Sequence, residues 1–158
     1  GFENARAEIS KLINYKDYGT IITNEDIDAI CIKSTENKVF DLVDEIGRRN
    51  TENAFKIYRG LLLYKEEPVK ILAMIVRQFR LMLQVGTFTA QGKSPAEIAK
   101  LLEQRDFVIK KCIQQSRNFT ADILKKALKD SLDTDYSIKS GQMAPDIAVE
   151  LLIVKYSR

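Results

Sequence analysis

Any chemistry in this chain has to proceed without histidine, because its 158 residues contain none. That removes the commonest general base and metal ligand. Asp133, Asp135 and Ser137 are spaced like the opening of a calcium loop. The sixth position, however, is Ile138 where such a loop needs glycine, and no glutamate closes it. Cys31 and Cys112 lie far apart in apolar patterns with no metal or redox spacing, and read as reduced, buried thiols of a cytoplasmic protein. There is no glycine-rich phosphate loop followed by lysine and no nucleophile elbow. Asn118-Phe119-Thr120 has the form of a glycosylation acceptor and reads here as a helix cap. The expectation is a chain with no catalytic residues, no metal and no cofactor.

Binding residues are a better prospect. Net charge is only +3, but residues 100–129 hold eight basic groups against three acidic ones, while the first sixty hold nine against eleven. A local basic cluster can attract phosphates, and a mixed solvated helix face is the competing explanation. Ser94 to Gln115 can be read as a helix-turn-helix, with Ala99, Ile109 and Cys112 at small or apolar positions and Lys110, Lys111, Gln114 and Gln115 outward. Against it, Glu103 stands at the turn, where a residue tolerant of positive φ is wanted. A helix-turn-helix DNA-binding protein is the alternative to the main reading below.

The elements that must position these residues are helices throughout. Helical periodicity is nearly continuous and no alternating strand pattern is bounded by turn residues. The sequence predicts a first helix through Ala5, Ile9, Leu12 and Ile13, ending near Asp17 to Gly19. A short second helix starts at a capping box over Thr23 to Asp26. The polar stretch Lys33 to Asn37 is placed as a break and domain boundary. A third helix carries Val39, Phe40, Leu42, Val43 and Ile46. A fourth is capped by Asn50 or Thr51. Pro68 opens the central helix, whose Lys70, Ala73, Arg77, Arg80 and Gln84 make one narrow polar stripe; the rest of its circumference is apolar, as in the middle of a bundle. Gln78 falls within that apolar arc and needs a partner from a neighbouring segment. Ser94-Pro95-Ala96-Glu97 is another capping box, followed by helices from Phe107 and from Thr120, the latter with Ile123, Leu124, Ala127, Leu128 and Leu132 inward. In the last helix Ile147 to Val154 is nearly unbroken apolar sequence, which is either deeply central or faces another subunit. No signal peptide and no apolar run near the length of a membrane span is evident. The chain starts without an initiator methionine and reads as an excised fragment.

Several of these segments together resemble the C-terminal part of the delta subunits of bacterial DNA polymerase III, members of the sliding-clamp loader. The pieces are Val39-Phe40-Asp41-Leu42-Val43-Asp44, Glu66-Glu67-Pro68 with Ile71-Leu72, Arg77-Gln78-Phe79-Arg80-Leu81, Ser94 to Ala99, Val108 to Lys111, and Asp135 with Ile138 to Gly141. A delta prime collar is a related possibility, and the Arg77-Gln78-Phe79-Arg80 stretch favours delta. The resemblance implies an all-α chain in which residues 1–34 end a small AAA+-type lid and residues 35–158 form the helical collar. It implies partners: the ATPase (tau/gamma) subunits and delta prime in a five-membered ring, with primer-template DNA nearby and no membrane. The clamp-opening surface of the family lies in an N-terminal module that nothing here matches, so the sliding clamp is reached only through that module. Candidate interface residues are Arg77, Gln78, Arg80, Ile147, Leu151 and Val154. Candidate DNA-facing residues are Lys139 and Gln142 in the Ile138 to Met143 segment, and Lys110 and Lys111. Some relatives present an aromatic residue in that segment, where this chain has Gln142 and Met143.

Overall fold

A computed structural model describes residues 6–7, 9–11 and 20–158, the side chains at 28–29 and 31–33 excepted. The end of the first expected helix and the Cys31 side chain therefore lie outside the described residues. Among those described there is helix and no strand. Seven helices follow residue 20: α1 (Asn24–Gly47), α2 (Thr51–Leu63), α3 (Pro68–Ala90), α4 (Pro95–Leu101), α5 (Asp106–Ser116), α6 (Ala121–Lys139) and α7 (Pro145–Ser157). The chain divides into two compact units, Gly1–Lys38 and Val39–Arg158.

The expected caps form. Thr23 Oγ1 accepts from the Asp26 amide at 3.3 Å, and Asp26 Oδ2 accepts from the Thr23 amide at 2.9 Å. Ser94 and Glu97 exchange the same reciprocal pair, Asn50 caps α2, and Thr120 caps α6. Hydrogen bonds from Ser94 hold the Glu97 carboxyl below its ordinary range. The expected break at Lys33–Asn37 does not occur, and residues 24 to 47 form one helix. The stretch contains neither glycine nor proline, and a few polar residues of middling propensity cost only a few tenths of a kcal/mol each, about 0.5 at most. A capped start and an apolar finish through Val39, Leu42, Val43 and Ile46 outweigh that.

In the larger unit α3 is the hub, packing against α4, α5, α6 and α7. Ile71, Leu72, Ile75, Phe79, Met82 and Val85 are buried along it, while Lys70, Ala73, Arg77, Arg80 and Gln84 are exposed as their spacing predicts. By length and composition alone α3 is apolar enough to cross a membrane, which corrects the reading that no such run exists. Its contacts with four other helices and its exposed cations are those of a bundle core helix. Phe119 packs edge-on to Phe79, with ring centroids 5.8 Å apart. The α2 face of Ala54, Tyr58 and Leu61 is buried, and the Tyr58 hydroxyl donates to the Asp146 carbonyl at the start of α7.

One inward assignment fails. Leu132 is 71% exposed. The buried stripe of α6 runs Leu124, Ala127, Ser131, and Leu132 sits about 100° off it. Ser131 takes the inner place because its hydroxyl donates to the Ala127 carbonyl one turn back, so no polar group is left bare.

Candidate functional site

The last helix has two apolar faces. Ala148, Val149, Leu152, Ile153 and Tyr156 are buried in the core. Ile147 and Leu151 are 51% and 52% exposed, and Val154, one turn on, is half-buried. Residues 147, 151 and 154 follow i, i+4, i+7 spacing and so share one face. Full burial of such a side chain is worth about 1.5–3 kcal/mol, and about half of that is unrealised at Ile147 and Leu151. Leu151 also lines a shallow groove with Thr134 and Ser137 of α6, Met143 of the preceding loop and Leu152. Met143 adds a further apolar surface, 37% exposed. Beneath this stripe α7 is anchored to α6: Tyr156 and Lys155 both donate to Asp130 Oδ2, at 2.5 and 2.8 Å. Those two hydrogen bonds, Lys155 first, hold the Asp130 carboxyl below its usual range. The same end of α7 is also tied to α2, where the Thr51 hydroxyl donates to the Ser157 carbonyl at 2.6 Å.

The α3 candidates separate. Arg77 and Arg80 are exposed on the polar stripe. Gln78 is turned inward, where its amide donates to Gln115 Oε1 at 2.8 Å and to Cys112 Sγ at 3.4 Å. Gln115 in turn donates to the Phe40 carbonyl at 3.0 Å. The expected partner from a neighbouring segment is thus α5, and the relay continues to α1. Gln115 is 2% exposed, which corrects its placement on an outward face of α5. The polar relay draws it in, because its carbonyl oxygen is the acceptor that Gln78 requires. Cys112 lies beside the relay, and burial pushes its thiol up to about 11.

The DNA-facing candidates lie on two different elements. Lys139 is exposed but paired with Asp135 at 2.7 Å, one turn away on α6. Gln142 is exposed in the loop after Gly141. Asp133 and Asp135, which mimic a calcium loop in sequence, lie within helix α6. Among the described residues no cluster of three or more metal-ligating side chains occurs. On α5, Lys110 is exposed, and the Lys111 ammonium lies 5.0 Å from the Phe40 ring and 5.9 Å from the Phe107 ring. Glu103 takes φ +52, so the lack of glycine does not prevent a left-handed turn between α4 and α5. Periodicity alone missed Phe107 (51% exposed), Tyr136 (66%) and Leu63 (84%) as surface apolar residues, although Phe107 at the rim of a basic helix is a signal that charge counting around it detects.

Residues 36–156 match the model of the DNA polymerase III delta subunit, C-terminal domain. Over 148 residues the chain is 32% identical to DNA polymerase III subunit delta of Bacillus subtilis (strain 168), covering 94% of this chain and 43% of that protein. Its fold is similar to the solved Bacillus subtilis DNA clamp loader delta protein, with a TM-score of 0.78 and 31% identity over 96% of this chain and 44% of that one. The chain therefore spans less than half the length of the relatives it matches. An all-α bundle around α3, matched to the family model across almost all of its larger unit, makes this chain a member of the DNA polymerase III delta subunit family through that family's C-terminal domain.

Proposed function

We propose that this chain acts as a non-catalytic assembly module of a clamp loader, packing its bundle against the neighbouring collars of the ATPase (tau/gamma) subunits and of delta prime in the cytoplasm. The observation that carries the reading is the outward apolar stripe of α7, Ile147, Leu151 and Val154, on a helix whose opposite face is already buried. A ring built from non-identical neighbours uses head-to-tail contacts between different patches. The stripe supplies one patch, and the exposed Arg77 and Arg80 of α3 supply polar contacts elsewhere. Residues 1–34 are assigned to the end of a lid domain and 35–158 to the collar. Lys139 and Gln142 are assigned to approach primer-template DNA weakly. The sliding clamp is assigned to no residue of this chain.

The test is analytical size exclusion of the chain mixed with the ATPase subunit and delta prime, compared with the Ile147→Asp/Leu151→Asp variant. Wild type should co-elute with both partners and the variant should not, with unchanged helicity by circular dichroism. Co-elution of a folded variant at wild-type affinity would refute the α7 assignment.

A further inference from the structure

The outward face of α5 carries residues that the assembly reading does not use. Phe107, Lys110, Lys111 and Gln114 are all exposed and follow i, i+3, i+4, i+7 spacing, so they lie on one side of the helix. Exposed Arg117 and Asn118 continue that side past the last turn. From 107 to 117 the strip is about 15 Å long at the helical rise. Asp106 is the single carboxylate on α5, and Glu103 stands in the turn before it.

Lys56, Lys70, Lys139 and Lys155 each have a carboxylate within 4 Å. Among the described residues no carboxylate pairs with Lys110 or Arg117. Among the same residues, cations with no paired carboxylate also stand elsewhere, at Arg80, Lys100, Lys125 and Lys129 for example, and this strip differs in holding an exposed ring among its cations. Lys111 lies near two rings, Phe40 and Phe107, which leaves its charge uncompensated. Three cations without counter-charges on one face complement a polyanion. The aromatic ring decides which one. Phe107 is 51% exposed, and an exposed ring beside cations is a stacking platform for an unpaired base, whereas a duplex keeps its bases stacked away from such a ring. Gln114 and Asn118 add hydrogen-bonding amides beside the same path.

We propose that the Phe107–Arg117 face of α5 binds single-stranded nucleic acid, with Lys110, Lys111 and Arg117 on phosphates and Phe107 stacked on a base. This deepens the nucleic-acid part of the function proposed above and rests on it only in taking nucleic acid as a partner; the face is different from the one assigned to assembly.

Fluorescence anisotropy of a labelled oligothymidylate of about 20 nucleotides tests it, with the full chain titrated across a salt series. Wild type should bind the single strand more tightly than a duplex of equal length. Lys110→Glu/Arg117→Glu should weaken binding at least about ten-fold and flatten the salt slope by roughly 0.7 for each phosphate no longer neutralised. Phe107→Ala should weaken it by about ten-fold with the salt slope unchanged. The same charge reversal at Lys56→Glu, on α2, should change little. Three results would overturn the proposal: no binding at low salt, displacement of the oligonucleotide by polyglutamate as readily as by unlabelled oligothymidylate, or folded α5 variants that bind like wild type. Binding that is abolished in Lys139→Glu and kept in the α5 variants would overturn it and leave the other DNA-facing assignment standing. Failure of assembly with these values intact would instead refute the function proposed above.

Discussion

Gln78 makes the clearest case at the scale of the residue, because a buried amide is tolerable only where its hydrogen bonds are made. Its position in the apolar arc of α3 is legible in the sequence; the identity of its partner is not, because Gln115 lies 37 residues away and its own spacing suits an outward face. The relay Gln78 to Gln115 to the Phe40 carbonyl joins three helices. Gln115→Leu strands the Gln78 amide, and should cost about 1–3 kcal/mol in urea denaturation. The double variant Gln78→Leu/Gln115→Leu should cost clearly less than the two single changes added together, since both partners then leave. Additive effects would contradict the relay. Cys112 beside it should react with iodoacetamide only on unfolding, read by peptide mass spectrometry, because burial keeps the thiol protonated at neutral pH. Asp130 gives a pH dependence of known sign. Its carboxyl is held below the ordinary value of 3.8 in the folded chain. Its stabilisation is therefore fully present above that value and is lost as pH falls through the lower folded one. Asp130→Asn should flatten the acid limb of a stability–pH curve measured by thermal melting, and an unchanged limb would refute the assignment.

At the scale of the element, most of the helix ends share one closure. Five helices close in the same way: the amide two residues past the cap donates to a carbonyl five residues back, as in Asn50 to Glu45, Glu66 to Leu61, Lys93 to Phe88, Gln104 to Ala99 and Gln142 to Ser137. The residue just past each cap has positive φ. Gly92 and Gly141 fill two of these places as expected, but Arg49, Lys65 and Glu103 fill the other three. The ends near Arg49 and Glu103 are readable from the sequence as ends, but the positive φ that Arg49, Lys65 and Glu103 take there is not, since none of them has glycine's freedom. Lys65→Gly should accordingly stabilise the chain, by up to about 1 kcal/mol, seen as a higher denaturation midpoint. Gly47→Ala should do the reverse. An added Cβ there would lie 2.6 Å from the Phe119 ring, which itself packs on Phe79, and overpacking of this kind costs about 1–3 kcal/mol. Gly86 faces open space on α3, and Gly86→Ala is the control, gaining about 0.5–1 kcal/mol. The fused α1 shows the other limit of the sequence. The capping box at Thr23 and the apolar run from Val39 are both visible, but polarity at Lys33 to Asn37 marks exposure as readily as it marks a break.

At the largest scale, the architecture of the Val39–Arg158 unit follows from one long apolar helix. A strand-free pattern, a central α3 and short connections leave few arrangements other than a bundle around it, and the bundle found is similar to the delta subunit fold. The α7 stripe is legible in the sequence only as a choice between deep burial and a docking face, because a helix apolar on both sides has no moment to orient it. The structure shows one side buried and the other exposed, with Met143 and Leu151 beside the α6 groove. Both Ile147 and Leu151 are half-exposed, so charged replacements there should leave the melting temperature within a few degrees of wild type while weakening association.

Native mass spectrometry of the chain, alone and mixed with the collar domains of the ATPase subunit and delta prime, tests the assembly claim most directly. The account predicts a stoichiometric mixed complex that Ile147→Asp/Leu151→Asp dissolves. A folded wild-type chain that stays monomeric with both partners would contradict it.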